Sequence, residues 1–439
     1  MSMNMSDNKF ARIFTLCGMY FAQGVPFGFV SYVLASYFAG KGLDANVVAN
    51  LTALATLPWV FKFVWGPMID RYTYRAMGRR RPWILFAQTM MVVTIAALVL
   101  IPDVTTDLKM LGLLVFIHNV FASMQDVSVD ALAVEVLEEN ERGFVNGLMF
   151  GSASGGAAFS GLFLGQFVMG HWGLRAAMIA QAGALFCVMM LPLFLRERKG
   201  EKMLPWTAGK AMGVEEQLSA DSGGELWRLL KKAFSIRSAI MMIFLAVCVK
   251  IAIELHGVVG TVYYIQELGW TDTEFMGTRG KIEIFTLLGC LTGGFLADRI
   301  GHKKIAITTT ILFGVSYVAF ALKPELWQSK LAVEIFFGAE GGIYGALSVS
   351  LFAMCMDISL PAVAGTQFTA YMAMMNGSAV IGKKMGGWFY DKMDYAQILI
   401  FWGVFQAVVI TVLLLFIDQH QRKKLEAKAV GISNDRINE

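Results

Sequence analysis

The stretch Gly66–Arg71 reads GPMIDR and is followed by Gly78–Arg81, GRRR. Half a chain later it returns as Gly294–Arg299, GFLADR, followed by Gly301–Lys304, GHKK. Each copy closes one long apolar segment and opens the next. A short basic turn between two apolar segments, present twice at this separation, signals an internal duplication. Duplicated helical halves around a central cavity are the build of secondary transporters.

Composition points the same way. Of 439 residues, 56% are hydrophobic and 16% charged, with mean hydropathy +0.57; soluble domains carry about 25% charged residues. The apolar residues come in blocks of about 20, enough for a helix to cross a hydrocarbon core of about 30 Å. Lipid offers the backbone no hydrogen-bond partner, so the blocks must be helices. Spans are expected near residues 11–38, 47–69, 83–102, 109–131, 144–169, 174–195, 239–265, 273–297, 304–322, 330–356, 366–389 and 396–417. The expected fold class is an all-α polytopic membrane protein, with twelve transmembrane helices in two six-helix halves. Residues 1–195 form the N-terminal half, 196–238 a linker, and 239–439 the C-terminal half with a short tail. The linker opens on Arg196–Lys202 and ends on Trp227, Arg228, Lys231 and Lys232, which predicts an amphipathic helix on the membrane surface.

The net charge of +4 matters less than its distribution. Lys9, Arg12, residues 71–81, Arg142, residues 196–237, 299–304 and the tail from Arg422 carry most of the Arg and Lys. The positive-inside bias then makes these segments, and both termini, cytoplasmic. The first apolar block is a full span without a small-residue cleavage pattern, so no removable signal peptide is expected. Cys17, Cys187, Cys248, Cys290 and Cys355 fall in or near apolar blocks without metal-ligand spacing, as packing residues do. No P-loop, HExxH, GxSxG or Cys/His pattern occurs. The expected protein is thus no enzyme and has no cofactor, metal or catalytic residue. Its expected partners are the lipid bilayer, protons and a small polar or amphipathic solute, with no nucleic acid, and it is expected to work as a monomer.

Gly66 and Gly294 would let neighbouring helices approach closely. Asp70 and Asp298, at helix ends, would cap a neighbouring helix or pair with arginine. With Arg71, Arg79, Arg80, Arg81 and Arg299 they make an expected cytoplasmic gate, formed in one conformation and broken in the other. The plainer alternative is a basic turn that serves only topology.

Ionisable residues within spans are costly and mark a cavity or a partner. Gln125, Asp126 and Asp130 lie in the fourth span, the two acids one turn apart on one face. Lys62 lies at matching depth in the second span, which predicts a Lys62–Asp126 ion pair near the inner gate. Lys250 and Glu254, one turn apart in the seventh span, predict a neutralising pair that protonation of Glu254 would open, or else a permanent bridge. Glu340, beside Gly341 and Gly342, has no local partner and is a proton-site candidate. Arg279, Lys281, Glu283 and Glu334 lie toward the outer end, suited to outer-gate pairing or to binding. His256 is two residues past Glu254, off its face. In the first span Pro26 and Gly28 would bend the helix, with Gln23 and Tyr32 offering hydrogen bonds to a ligand. The small residues from Gly151 to Gly161 fit close helix packing.

The run Phe61–Thr73, FKFVWGPMIDRYT, with Gly78–Arg81 and Trp83, resembles the major facilitator superfamily, and within it the AmpG-like muropeptide permease branch. Gln125, Asp126, Asp130 and Ala131, Glu141–Gly143, then Lys250, Glu254, Lys281 and Thr366–Phe368 extend the resemblance over nearly the whole chain. The branch also holds acetyl-coenzyme A transporters, and siderophore permeases share similar signatures. Enterobacterial members carry two spans beyond the twelve counted here. The resemblance implies a proton-coupled symporter of the bacterial inner membrane, working by alternating access and importing peptidoglycan fragments. A siderophore or drug permease of the same superfamily is the first alternative. A non-transporting membrane sensor is the second.

Overall fold

The structure is a computed structural model that describes residues 4–138, 141–209, 223–360 and 363–418. Thirteen helices are named here in chain order. They are α1 (Lys9–Gly40), α2 (Ala45–Arg71), α3 (Arg81–Val99), α4 (Leu108–Val136), α5 (142–172), α6 (174–194) and α7 (Gly223–Phe234). After them come α8 (Arg237–Glu267), α9 (Asp272–Ile300), α10 (His302–Ala321), α11 (Lys330–Ile358), α12 (Ala364–Tyr390) and α13 (Tyr395–Phe416). Ten helical stretches among the described residues are long and apolar enough to cross a membrane. One of them, Val145–Phe194, is two helices joined where Gly173 takes φ 81°. With α12, this gives the twelve expected spans. Only α7 belongs to the linker; residues 210–222, and the tail from Arg422, lie outside the described residues.

Local signals set the helix ends. Asn8, Asp44 and Ser329 cap α1, α2 and α11 by accepting from backbone N–H groups. Thr271 with Glu274, and Asp394 with Gln397, form capping boxes at α9 and α13. Large apolar side chains such as Phe163, Ile179, Phe186, Leu288, Ile335 and Val408 face outward, as a lipid-facing belt requires. Small residues face inward between helices. At Gly289 a Cβ would stand 2.0 Å from the Gly342 carbonyl, so α9 and α11 touch backbone to backbone.

The glycines of the repeated turn do not play that part. Around Gly66 nothing lies within 4 Å of an added Cβ, and at Gly294 the nearest atom is Val349 Cγ1 at 3.5 Å. The close approach falls one residue earlier, at Gly293, which packs on Ala346. A shift of one residue turns a helical position by about 100°, which leaves Gly294 in ordinary contact with Val349 rather than in a close approach.

The segment after α6 folds back on the first basic turn, and we call this side of the molecule the linker face. Asn4 pairs with Arg196 in a short parallel bridge. The Glu197 carboxylate accepts from the backbone N–H groups of Arg79 and Arg80 (2.8 Å each) and of Arg81, neutralising the N-terminus of α3. Gly78 has φ 105°, and a side chain there would strike this carboxylate. Arg81 is fully buried and donates to the carbonyls of Lys202 (2.7 Å), Leu193 (2.7 Å) and Met203 (2.9 Å). It is therefore an anchor for the linker rather than a gate residue.

Burial and the adjacent Glu197 charge push the Glu201 carboxyl up from 4.5 to about 7. The folded state thus holds this proton more tightly than the unfolded chain. Between pH 4.5 and 7 that lowers stability as pH rises, with no contribution below the window and the full penalty above it. The Glu201→Gln variant should accordingly lose less melting temperature than the parent between pH 5 and pH 8. Equal losses would show that Glu201 ionises normally.

Candidate functional site

A cavity of about 320 Å³ lies between α1, α2, α4, α5, α8, α9, α11 and α12. Its wall holds aromatic Phe27, Trp59 and Tyr344, amides Gln23, Asn119 and Asn376, and charged Lys250, Glu254, Arg279, Glu283 and Glu340. An apolar wall with a few convergent polar groups is what a small-molecule site requires.

The sequence placed Lys250 and Glu254 in one pair; the structure separates them. The helix breaks at Val249–Lys250, where the Lys250 backbone N–H turns to Ser378 Oγ of α12 (3.1 Å). Glu254 instead meets Lys383 of α12, Nζ to Oε2 3.4 Å, and the same ammonium donates to Thr56 of α2 at 2.7 Å. Lys383 was missed because it sits beside Lys384 near an end of α12, where a lysine pair reads as interfacial. Among the described residues no carboxylate lies within ion-pair distance of Lys250.

Glu340 is not alone either. It bonds His256 Nδ1 at 2.8 Å and the Tyr317 hydroxyl, both buried. His256, which its place two residues past Glu254 set off that residue's face, thus lies behind Glu340 rather than on the cavity wall. Arg279 and Glu283, assigned by sequence to the outer end, both face the cavity. Tyr32 donates to Glu283, and the Arg279 guanidinium lies 4.9 Å from the centre of the Tyr32 ring. The buried Arg279 Nε has no hydrogen-bond partner. Lys281 and Glu334, by contrast, pair with each other at 2.6 Å on the outer side of α9 and α11. Gln23 and Tyr32 line the cavity as expected, and the Gln23 Nε2 is buried without a partner.

Toward the linker face the fourth span carries its own network. Lys62 bonds Asp126 at 2.9 Å, the pair expected from sequence, and the Tyr20 hydroxyl donates to Asp130. Gln125 is turned away from the cavity and donates to the Met19 carbonyl at 3.0 Å, fastening α4 to α1. Its amide is fully buried. Successive helix residues point about 100° apart; Asp126 turns to Lys62, and Gln125 turns to α1.

At the first basic turn Asp70 bonds Arg80 at 2.6 Å and Arg79 at 3.4 Å, and both arginines reach Glu135 of α4. That contact exists because α4 runs on to Val136, beyond the expected end at 131. Arg71 lies over the Tyr72 ring and forms no ion pair among the described residues. In the second copy Asp298 and Arg299 are exposed and form no ion pair among the described residues; Arg299 lies over Phe295 at 4.0 Å. The two copies are therefore unequal in this conformation.

Contacts between the first six and last six spans explain the inequality. Gln266 donates to the carbonyls of Ala39 and Leu43, and Asn46 to Asp391, all at the face opposite the linker. Asn376 donates to the Trp59 carbonyl at mid-depth. No described ion pair joins the two sets of spans at the linker face. The described polar seal thus stands opposite the linker, and the second basic turn is held within its own half, where Lys303 donates to the carbonyls of Leu415 (3.0 Å) and Ile417 (2.7 Å).

The chain matches the family model "Major Facilitator Superfamily" over residues 13–382 and 283–434. It is 26% identical to the anhydromuropeptide permease of Escherichia coli (strain K12) over 410 residues, 91% of this chain and 78% of that protein. It is 24% identical over 325 residues to a protein of Rickettsia conorii named "Putative transporter AmpG 4", 70% of this chain and 73% of the relative. Among solved structures it resembles a D-xylose-proton symporter, with TM-score 0.70 and 11% identity, covering 94% of this chain and 99% of the other. A nucleoside transporter shares the fold at TM-score 0.65 with 14% identity over 92% of this chain and 100% of that one. Twelve spans, a polar cavity between two sets of six, and these likenesses together make the chain a multi-pass membrane transporter that belongs to the major facilitator superfamily.

Proposed function

We propose that this protein imports anhydro-muropeptides across the bacterial inner membrane, driven by the inward proton gradient, as a monomer with both termini in the cytoplasm. One observation carries the substrate reading. Among the described residues, Lys250 and Arg279 face the cavity without a carboxylate within ion-pair distance, while Glu254 has Lys383 and Glu340 has His256. Two unspent cations beside Trp59, Phe27 and several amides suit a solute with carboxylates, sugar hydroxyls and apolar ring faces. The similarity to the anhydromuropeptide permease over most of both chains supports that solute.

The seal at the face opposite the linker supports an inward-open resting state of a rocking cycle. The Asp70 and Asp298 turns would join the two halves only in the other state. The Glu254 and Glu340 carboxyls stand on the cavity wall, one beside Lys383 and the other beside His256, and this supports proton coupling, because a proton arriving on either would release its partner.

The test is uptake of labelled anhydro-muropeptide into proteoliposomes under an imposed inward proton gradient. The expected result is accumulation that a protonophore abolishes. Glu254→Gln and Glu340→Gln should each remove gradient-driven accumulation. Full accumulation in both variants would sink the carboxyl assignment, and absence of uptake in the parent would sink the substrate.

A further inference from the structure

Within the last six spans, four buried polar side chains from four helices form one hydrogen-bonded string. His256 of α8 places Nδ1 2.8 Å from Glu340 Oε1 of α11 and Nε2 2.8 Å from the Tyr395 hydroxyl of α13. Tyr317 of α10 donates to the same Glu340 oxygen. None of the four is more than 4% exposed. An ionised carboxylate can only accept, so Nδ1 carries a proton toward Glu340; with the imidazole neutral, Nε2 accepts from Tyr395.

The residues at the ends of the string line different spaces. Glu340 lines the central cavity. Tyr395 lines a separate hollow of about 430 Å³ at the face opposite the linker, with Tyr263, Trp327 and Tyr390 around it. Exposed Glu267 and Asp394 stand on the rim of that hollow. Between the two spaces the imidazole is packed against Phe337 (ring centres 5.2 Å), Phe336 (5.8 Å) and Tyr317 (5.0 Å). These rings leave the side chains as the polar route. The other groups facing it are Tyr264, whose ring lies 5.8 Å from that of Tyr395, and Arg279, on the cavity side of Glu340.

We propose that Tyr395, His256 and Glu340 form a proton wire from the medium at the sealed face to the central cavity. Carboxylates on the rim of the hollow raise the local proton concentration. A proton from water there adds to the Tyr395 oxygen as its hydroxyl proton passes to His256 Nε2. The Nδ1 proton passes to the Glu340 carboxylate. One proton leaves the hollow and one appears on Glu340, whose charge is neutralised. The imidazole is left as its other tautomer and must turn before the next transfer. The route runs inside one set of six spans, and because the imidazole must turn before each further transfer, it loads Glu340 with one proton rather than conducting freely. Tyr317 holds Glu340 in place and is a positioning residue.

The inference rests on the proton-coupled reading above, and the experiment separates the two. Parent, His256→Gln and Tyr395→Phe proteins are compared in proteoliposomes by gradient-driven accumulation and by solute exchange at equal pH on both sides. A glutamine amide can donate to Glu340 and accept from Tyr395, so His256→Gln keeps the bonds but cannot pass a proton. Both variants should accumulate at least tenfold less than the parent while exchanging within about twofold of it. Parental accumulation in either variant overturns the wire. So does an equal fall of exchange and accumulation in both, which would make the residues structural. A parent that exchanges but never accumulates overturns proton coupling itself, and the wire with it.

Discussion

Lys250→Gln should lower anhydro-muropeptide uptake at sub-saturating concentration by about tenfold to a hundredfold. A charge-assisted hydrogen bond is worth about 1.5–3 kcal/mol, and about 1.4 kcal/mol is a factor of ten in affinity. Lys250 is the cation to test because, among the described residues, no carboxylate lies within ion-pair distance of it: Glu254 is held by Lys383 and Glu340 by His256. The effect should appear in KM more than in the maximal rate, since the ammonium meets the bound solute rather than the moving helices. Lys250→Arg should restore part of the affinity. An unchanged KM in Lys250→Gln would mean that no substrate carboxylate rests there.

Lys383→Met should cost about 3 kcal/mol of stability and abolish transport, because breaking one side of a buried ion pair leaves an uncompensated charge. Lys383 is 4% exposed at its side chain and Glu254 19%. The ammonium also donates to Thr56, so it ties α12 to α8 and α2 at once. The double variant Lys383→Met with Glu254→Gln removes the charge mismatch and should recover much of the lost melting temperature, though not coupled uptake. Recovery of melting temperature marks the pair as mutually dependent. If the double variant is as unstable as Lys383→Met alone, the lysine matters for its packing and its Thr56 bond instead.

The spans were legible because lipid leaves the chain no choice but helix. Even so, the Val249–Lys250 break was hidden. It depends on Ser378 of a distant helix taking over a backbone N–H, which hydropathy does not register. The Lys62–Asp126 pair was legible because matching depth in adjacent spans leaves each ion few alternatives. The Lys250–Glu254 pairing failed for the opposite reason: one turn of spacing shows that two side chains can meet, not that they do. A third charge, Lys383, lay closer to Glu254 and was invisible to local pattern. The same holds for Gly66 and Gly294, whose motif positions are clear but whose neighbours depend on how each helix is turned against the next.

The sequence by itself determined that this is a twelve-span helical membrane protein with an internal duplication, basic turns at one face and charges buried at several depths. Those features follow from solvation of the backbone and of single side chains, which each segment settles on its own. Only the tertiary structure decided which charges share a space. It joined Glu254 to Lys383 and Glu340 to His256 and Tyr395, and left Lys250 and Arg279 facing the cavity. Pairing in a low-dielectric interior is a competition among all ions brought within a few ångströms. Its outcome is known only when helices far apart in the chain have been packed together.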